Sequence, residues 1–208
     1  MPLPQPVLLY DQPRAPNPRR LNIFLAEKAV DVSRETIDLM QGQHKAEAFL
    51  ARIGAAQVPA LVLTDNSVLT ETQAIARYIE ALHPEPNLMG RDALEQATIE
   101  MWQRRLEFGL FAAVAGCFRH TNRHLAVLER QIPEYGAEMR ARIAGHLEAL
   151  DARLDGRAWI AAERLTMADI TAFVACDFLR ILKYPVPETL PHLTNWLATL
   201  RARPSTAF

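Results

Sequence analysis

A carboxylate and a hydroxyl lie side by side where a helix is predicted to begin. Glu71 and Thr72 precede a segment in which Ile75, Ile79 and Leu82 recur at helical spacing. The first turn of a helix carries N–H groups without intrahelical partners and the positive end of the helix dipole, so it favours an anion. Thr72 can add a hydroxyl donor to such a site, or it can simply cap the helix with no ligand bound.

The remaining reactive side chains form no catalytic or metal-binding pattern. Cys117 and Cys176 are the two cysteines of the chain, and both fall in apolar, helix-like segments where a thiol usually packs as a small buried hydrophobe. They form no Cys-x-x-Cys pair, which disfavours a dithiol redox mechanism. The six histidines show no repeated close spacing with carboxylates, so we expect no metal site.

Length and composition limit the class of protein. The chain has 208 residues, with 23 Lys and Arg against 24 Asp and Glu and a formal net charge of −1. Near-neutral charge gives no electrostatic reason to expect nucleic acid or an anionic membrane as a partner. No apolar run approaches the roughly 20 residues of a membrane span, and residues 1–6 do not resemble a signal peptide. We expect a soluble, cytoplasmic protein.

The first half mixes short strand-like runs with helical patterns, in the order β-α-β and then β-β-α. Residues 7–10 are an apolar run of strand length. Three prolines within residues 12–18 predict that no helix begins before Pro18, with Pro18 itself in the first turn. The other predicted elements are a helix from Arg19, a strand at 32–39, a short helix at 46–53 ended by Gly54, strands at 58–63 and from 68, and a helix at 70–82.

The second half is predicted to be helical almost throughout. Pro84 and Pro86 precede it and mark a linker, because each bars a helix from continuing. The amphipathic stretches are residues 91–116, 134–154, 165–182 and 190–203. The predicted domains are 5–84 and 91–208, with a linker at 85–90.

Five motifs along the chain then indicate a family. They are Leu25-Ala26-Glu27-Lys28, the loop segment 38–44, Val58-Pro59-Ala60-Leu61, the segment 69–75 and Thr166-Met167-Ala168-Asp169. In this order they resemble the glutathione transferase superfamily, and the 38–44 segment looks like its theta-like members. The resemblance covers essentially the whole chain. It implies an α/β plus all-α protein, in which a thioredoxin-like βαβ-ββα domain that binds glutathione precedes an α-helical bundle domain.

The last motif also has a purely structural interpretation. Thr166 and Asp169 form a Thr-x-x-Asp pattern before an apolar run. Such a pair can satisfy the N–H groups at a helix start reciprocally, as a capping box. We expect this motif to stabilise the fold rather than to take part in chemistry.

The resemblance implies glutathione-binding roles for four residues of the first domain. In the family the peptide bond before Pro59 is cis, and the backbone of Val58 pairs with the cysteinyl part of glutathione. Glu71 meets the γ-glutamyl ammonium, and Thr72 binds the γ-glutamyl carboxylate through its hydroxyl and N–H. From the residues alone, Pro59 can also be the first residue of an edge strand.

Two further residues are implied near the glycyl carboxylate of glutathione. His44 follows a Gly-Gln pair in the loop after the second predicted strand, with Lys45 beside it. Gln57 precedes the Val58-Pro59 pair. A loop histidine can equally be solvated and without a ligand.

The sequence departs from the family pattern at the residue that stabilises the thiolate of glutathione. Members hold glutathione as its thiolate with a Tyr, Ser or Cys donor near the start of the first helix, and residues 11–20 contain none of these. Asn17 falls close to the Ser or Cys position and its amide can donate. Tyr10 lies where the Tyr-using classes keep their donor, although it can also pack structurally. A backbone group or an arginine is a further alternative, and Arg14 and Arg19 can add positive potential.

An electrophile site is implied between the halves, against the long helix of the second domain. Met101, Arg105, Phe108 and Phe111 recur there at helical spacing. Arg105 and Phe108 are the candidate substrate contacts, although such a stripe is also typical of a core. Phe208 is a candidate to cover the cleft.

These features predict a glutathione transferase that activates the thiolate of glutathione for attack on small hydrophobic electrophiles, a detoxification activity. Glutathione is the co-substrate and no metal is expected. The resemblance also implies a homodimer, because members of the family are usually dimers. Two alternatives stay open. One is a glutathione-dependent disulfide or peroxide reductase, and the other is a non-catalytic protein that uses the fold to bind a partner.

Overall fold

The computed structural model describes residues 3–207, so Phe208 lies outside the described residues. The chain divides between Pro86 and Asn87 into two compact units. The first is an α/β domain and the second is helical, which confirms the predicted fold class. Within residues 3–207 no helix has both the length and the apolar character needed to cross a membrane.

Four strands form a mixed sheet in the first unit, in the spatial order β2-β1-β3-β4. Strand β1 pairs in parallel with β2 and antiparallel with β3, and β3 pairs antiparallel with β4. The strands are β1 Pro6–Asp11, β2 Ser33–Thr36, β3 Ala60–Leu63 and β4 Val68–Thr70. The helices of this unit are α1 Pro16–Glu27, α2 Glu47–Ile53 and α3 Thr72–Leu82.

Helix α1 begins earlier than the sequence predicts. Pro16 and Pro18 both lie in its first turn, so the prediction that no helix begins before Pro18 is wrong. The first N–H groups of a helix have no intrahelical acceptor, and a proline placed there forfeits no hydrogen bond. Asn17 is therefore the second residue of α1.

Helices α1 and α3 pack against each other through the apolar faces that their spacing predicts. A buried ion pair joins their C-terminal ends, because Nζ of Lys28 lies 2.5 Å from the carboxylate of Glu80. The same Nζ donates to the backbone oxygen of His83 at 2.7 Å. The fully buried side chains of this packing include Leu21, Phe24, Ile75 and Ile79.

The helices of the second unit are α4 Ala93–Leu106, α5 Ala112–Thr121, α6 Pro133–Leu154, α7 Met167–Phe178 and α8 Pro191–Arg201. A π-helical turn, Glu107–Phe111, joins α4 to α5 without a break. Every residue of α7 is buried, so α7 is the central helix of this unit. It packs against α4.

The start of α7 is the capping box that the sequence predicts. One carboxylate oxygen of Asp169 accepts from the N–H of Thr166 at 2.9 Å and from its hydroxyl at 2.8 Å. The other accepts from the N–H of Ile160 at 2.9 Å and from the indole of Trp196 at 3.3 Å. Burial raises the pKa of Asp169 to about 6, against the opposing effect of these donors.

An arginine clamp lies at the beginning of the second unit. The guanidinium of Arg164 donates to both carboxylate oxygens of Glu95, at 2.5 and 2.7 Å, and to the backbone oxygen of Asn87 at 2.8 Å. The hydrogen bond from Arg164 lowers the pKa of Glu95 to about 2. The clamp ties the first residue of the unit to α4 and to the segment before α7.

Candidate active site

The segments that carry the candidate residues meet at one end of the strands, called the sheet edge below. Strands β1 and β2 end at this edge, antiparallel β3 begins there, and β4 ends there. Tyr10 pairs with Ala60, and Ala60 pairs with Thr70, so the segments after β1, before β3 and after β4 leave from adjacent positions. The loop after β2 leaves from the same edge. The residues carried by these segments are Tyr10, Asn17, His44, Gln57, Val58, Pro59, Glu71 and Thr72.

The peptide bond between Val58 and Pro59 is cis, as the resemblance implies. Both residues are buried immediately before β3. Strand β3 lies between β1 and β4, so the alternative that Pro59 begins an edge strand is wrong.

The start of α3 carries no side-chain cap in the described structure. Thr72 is its first residue and is buried, and its hydroxyl donates to the backbone oxygen of Asn17 at 3.1 Å. The alternative that Thr72 is an ordinary N-cap is therefore wrong. The first N–H groups of α3 lack an intrahelical acceptor, and the dipole adds positive potential there.

Glu71 precedes α3 in a strained backbone conformation, with φ 66°. A non-glycine residue at positive φ is uncommon, and such strain is concentrated at functional sites. Its carboxylate accepts a hydrogen bond of 2.5 Å from the amide of Gln57. This contact fixes the carboxylate beside the start of α3.

Asn17 connects the first turns of α1 and α3. Its backbone oxygen accepts from Thr72, and its side-chain oxygen accepts from the guanidinium of Arg20 at 2.8 Å. Its side-chain nitrogen has no hydrogen-bond partner among residues 3–207, and the residue is exposed. Arg20, rather than Arg14 or Arg19, contacts Asn17. The sequence gives little signal for this, because a lone arginine in a helix is usually solvated.

Tyr10 is partly buried and packs against the core of the first unit. Its ring meets that of Phe49 edge to face, with the ring centroids 5.5 Å apart. Phe49 belongs to a buried cluster with Ile37, Ile53 and Val58, and Tyr10 packs against this cluster. This contact fits the structural alternative for Tyr10.

His44 is buried within a single 3₁₀ turn, residues 43–45. Its Nδ1 is buried with no hydrogen-bond partner in the described structure. Burial, followed by the charge of Lys45, lowers the pKa of His44 below its ordinary value, so the imidazole is neutral at pH 7. Gln57 bonds to Glu71 and forms no hydrogen bond with His44.

A buried carboxylate that the sequence does not reveal holds the edge in place. Asp11 ends β1 and accepts from the amide of Asn22 at 3.0 Å and from the guanidinium of Arg34 at 3.1 Å. Arg34 also donates to the side-chain oxygen of Asn22. The three residues fasten α1 and β2 to the end of β1, next to the turn that leads to Asn17.

The two candidate substrate residues of the second unit lie in different surroundings. Phe108 is 72% exposed in the π-helical turn and lines a shallow cleft of about 290 Å³, so the alternative that it is a core residue is wrong. Arg105 is exposed, with its guanidinium 5.1 Å from the ring of Trp102. It does not line that cleft.

The thiols and possible metal ligands add no second chemistry. Cys117 and Cys176 are both free and buried, as the sequence predicts, and burial raises the pKa of Cys176 to about 12, so that thiol stays protonated. In the part of the chain that the structure describes, no group of three or more His, Cys, Asp or Glu side chains could hold a metal ion.

Comparisons with known proteins agree on one family. A model described as "Glutathione S-transferase, N-terminal domain" matches residues 5–81, and one described as "Glutathione S-transferase, C-terminal domain" matches residues 113–204. The chain is 35% identical over 205 residues to "Glutathione S-transferase 2" of Saccharomyces cerevisiae, covering 97% of this chain and 88% of that protein.

Two solved structures have nearly the same fold. The crystal structure of Gtt2 from Saccharomyces cerevisiae matches with a TM-score of 0.91 and 35% identity, over 96% of this chain and 98% of that one. A glutathione S-transferase domain-containing protein from Marinobacter aquaeolei matches with a TM-score of 0.91 and 34% identity, over 96% and 99%.

Proposed function

Since the chain belongs to the glutathione S-transferase family and is a glutathione transferase, we propose that it binds glutathione at the sheet edge described above and directs the thiolate at small hydrophobic electrophiles. The observation that carries this proposal is the uncapped start of α3, with the carboxylate of Glu71 held beside it. A helix start and an adjacent carboxylate suit a group that carries both a carboxylate and an ammonium. The γ-glutamyl end of glutathione is such a group.

Each end of glutathione has a complementary group. The N–H groups at the start of α3, beginning with that of Thr72, bind the γ-glutamyl carboxylate, while Glu71 binds the ammonium. The backbone of Val58, followed by Pro59, pairs with the cysteinyl part. His44 is neutral at pH 7 and offers a hydrogen bond, rather than a charge, to the glycyl carboxylate.

Asn17 is the proposed donor to the thiolate. Its amide nitrogen is without a partner in the described structure, while its oxygen is held by Arg20. The guanidinium polarises the amide towards donation, and the start of α1 adds its dipole. Tyr10 is the less suitable candidate because its ring is packed on Phe49.

The proposals for the electrophile contacts and for the oligomeric state are less detailed. The large exposed surface of Phe108 supports a contact with a hydrophobic electrophile, and Arg105 supplies a cation on the same stretch of helix. A cytoplasmic homodimer with a role in detoxification is proposed on the family alone.

Calorimetric titration with glutathione at neutral pH tests the proposal. We expect one saturable site per chain and an increase in Tm on binding. Glu71→Ala should weaken binding at least about tenfold, the loss of one charge-assisted hydrogen bond. Glu35→Ala, which removes an exposed carboxylate from β2, is the matched control and should bind normally. The absence of both heat and a Tm increase would exclude the proposed site.

A further inference from the structure

The two ends of the proposed glutathione site lie at opposite ends of the sheet edge. Glu35, Tyr10, Ala60 and Thr70 form one row across the sheet, from β2 through β1 and β3 to β4. Neighbouring strands lie about 4.8 Å apart, so the row spans about 14 Å. This is close to the reach of a tripeptide whose first link runs through a side chain. A glutathione molecule whose γ-glutamyl end lies at the start of α3, just after β4, therefore extends towards the loop after β2.

The loop after β2 holds His44 in a fixed position. The turn that carries it is closed by a hydrogen bond of 2.8 Å from the N–H of Lys45 to the oxygen of Gly42. The side-chain oxygen of Gln43 accepts from the N–H of Asp38 at 2.7 Å, and the N–H of Gln43 donates to the oxygen of Asp38 at 3.1 Å. His44 itself is 8% exposed. The imidazole is therefore positioned before any ligand binds.

The burial of Nδ1 determines where the imidazole carries its proton. Nδ1 of His44 is buried and has no hydrogen-bond partner among residues 3–207. A buried N–H without an acceptor is rarer than a buried acceptor without a donor, so we assign the proton of the neutral ring to Nε2. An imidazolium would also carry a proton on Nδ1, where no acceptor meets it. The pKa of His44 is lowered, first by burial and then by the charge of Lys45, which agrees with a neutral ring.

A single neutral donor distinguishes poorly between a carboxylate and an amide. The N–H at Nε2 can donate to an oxygen of either group. A carboxylate accepts the stronger hydrogen bond, but it also loses more hydration beside a neutral, buried ring. Lys45 is exposed, and an exposed ion pair changes an affinity about fivefold at most. The glycyl end of glutathione is therefore recognised with little dependence on its charge.

The γ-glutamyl end, by contrast, is recognised by charge. Gln57 fixes the carboxylate of Glu71, which suits an ammonium. The start of α3 carries no side-chain cap in the described structure, and its dipole suits a carboxylate. A thiol without the γ-glutamyl group would leave both features without a partner, which costs free energy at each. Selectivity for the thiol is therefore concentrated at this end.

The loop around His44 also leaves room for a larger glycyl end. A Cβ added to Gly42 would meet no atom within 4 Å. The side chains of Met40, Gln41 and Glu47 are all exposed. A substituent on the glycyl carboxyl would extend into solvent at this loop without displacing a buried side chain.

We propose that this site binds glutathione whose glycyl carboxyl is joined to an amine as an amide, about as tightly as it binds glutathione. The inference rests on the glutathione site proposed above and names the class of thiol that the site accepts. The γ-glutamyl and cysteinyl parts bind as in glutathione. The oxygen of the amide accepts from Nε2 of His44, and the amide takes no part in the chemistry at the sulfur.

Calorimetry on the full chain at neutral pH compares three thiols, which are glutathione, its glycyl N-methylamide and cysteinylglycine, a dipeptide without the γ-glutamyl group. We expect the methylamide to bind within about fivefold of glutathione, and cysteinylglycine at least about 100-fold more weakly. If glutathione itself does not bind, the proposed function fails and this inference fails with it. If glutathione binds and the methylamide loses more than about fivefold, this inference alone is overturned.

A change of charge at residue 44 tests the role of the imidazole. His44→Gln keeps a neutral donor and should change the ratio of the two affinities less than about twofold. His44→Lys adds a permanent cation and should favour glutathione over its methylamide by at least about tenfold. Glu47→Gln, which makes the same loop more positive by one charge and leaves His44 in place, is the control and should keep the wild-type ratio.

The Tm of each variant shows whether it is folded. An unchanged ratio in folded His44→Lys would overturn the assignment of His44 to the glycyl end. If His44→Lys does not fold, His44→Gln decides. A ratio that shifts towards the methylamide in that variant would show that the wild-type ring acts as a cation, and would overturn the proposal.

Discussion

At the scale of single residues, the proposed site differs from the family pattern at the proposed donor to the sulfur. Asn17 carries a neutral amide where the resemblance implies a hydroxyl or thiol. Arg20 donates a hydrogen bond to the side-chain oxygen of Asn17, and the side-chain nitrogen has no partner in the described structure. The backbone of the same residue receives the Thr72 hydroxyl, so removing the side chain leaves the connection between α1 and α3 intact.

We expect Asn17→Ala to lower kcat/KM for conjugation about 100-fold, the usual loss for one donor to a developing or stabilised anion. Glutathione affinity should change less than about threefold. The pH–rate profile should move to higher pH, because the bound thiol loses a donor that favours its thiolate. Asn17→Ser restores a donor and should recover part of the rate. Unchanged turnover in Asn17→Ala would eliminate this residue and make Tyr10→Phe the next variant to measure.

The residue-level contacts were only partly accessible from the sequence. Adjacent residues such as Glu71 and Thr72 were recognisable because their spacing to the helix is local. The acceptor of the Thr72 hydroxyl is 55 residues away in the chain, and the partner of Glu71 is 14 residues away. Such pairings depend on strand register, which no local pattern specifies.

At the scale of elements, α7 depends on a carboxylate that is buried completely. Asp169 accepts four hydrogen bonds from three residues. These hydrogen bonds offset part of the free-energy cost of burying its charge. The pKa of about 6, against the reference of 3.8, means that the folded state holds this proton more tightly than the unfolded chain does.

Stability should therefore fall as pH rises from about 4 to about 6, with little further change from this group above that window. Asp169→Asn should abolish this dependence. It should also lower the free energy of unfolding by about 2 kcal/mol, because an NH₂ group would replace an oxygen that faces N–H or O–H donors. Urea unfolding of both proteins between pH 4 and pH 7 measures this.

The matched control is Asp92→Asn at the start of α4. Asp92 is exposed and caps the helix by accepting from the N–H of Glu95 at 2.9 Å, a role that asparagine performs equally well. Little change is expected there. A wild-type curve that is flat between pH 4 and pH 6 would show that the proton on Asp169 is not linked to folding.

Element order was predictable, and element ends were less so. Short apolar runs predict β1, β3 and β4, and β-branched residues predict β2. Gly54 ends α2 in the left-handed conformation, as its position predicts. The predicted strand at 32–39 is shortened to β2 because it pairs only with the last four residues of β1. The predicted start of α1 is wrong because proline is unfavourable inside a helix but not in its first turn.

At the scale of the whole molecule, we propose that exposed apolar side chains on α4 form part of the contact in the homodimer proposed above. Leu94 is 78% exposed and Met101 is 41% exposed, and a spacing of seven residues puts them on one face of the helix. A helix face with two such side chains is a candidate contact between chains.

We expect light scattering after gel filtration to give twice the chain mass of 23.4 kDa. Leu94→Glu should shift the protein towards one chain, because it places a charge at the proposed contact. Val127→Glu changes a side chain of similar exposure, 72%, elsewhere in the unit and should leave the mass unchanged. A wild-type mass of one chain would contradict the homodimer.

The π-helical turn between α4 and α5 makes the packing of α5 sensitive to the number of residues in the turn. A π turn accommodates in effect one residue more than an α-helix, and one residue corresponds to about 100° of rotation. The side chains of α5 are therefore rotated relative to a regular continuation of α4. The seven-residue spacing of Leu94 and Met101 extends to Phe108, which lies in the π-helical turn. Deleting a single residue within Glu107–Phe111 would leave an unbroken α-helix yet turn Cys117 and the rest of α5 by a quarter of a revolution. In this stretch, the number of residues determines which side chains face the core as strictly as their chemistry does.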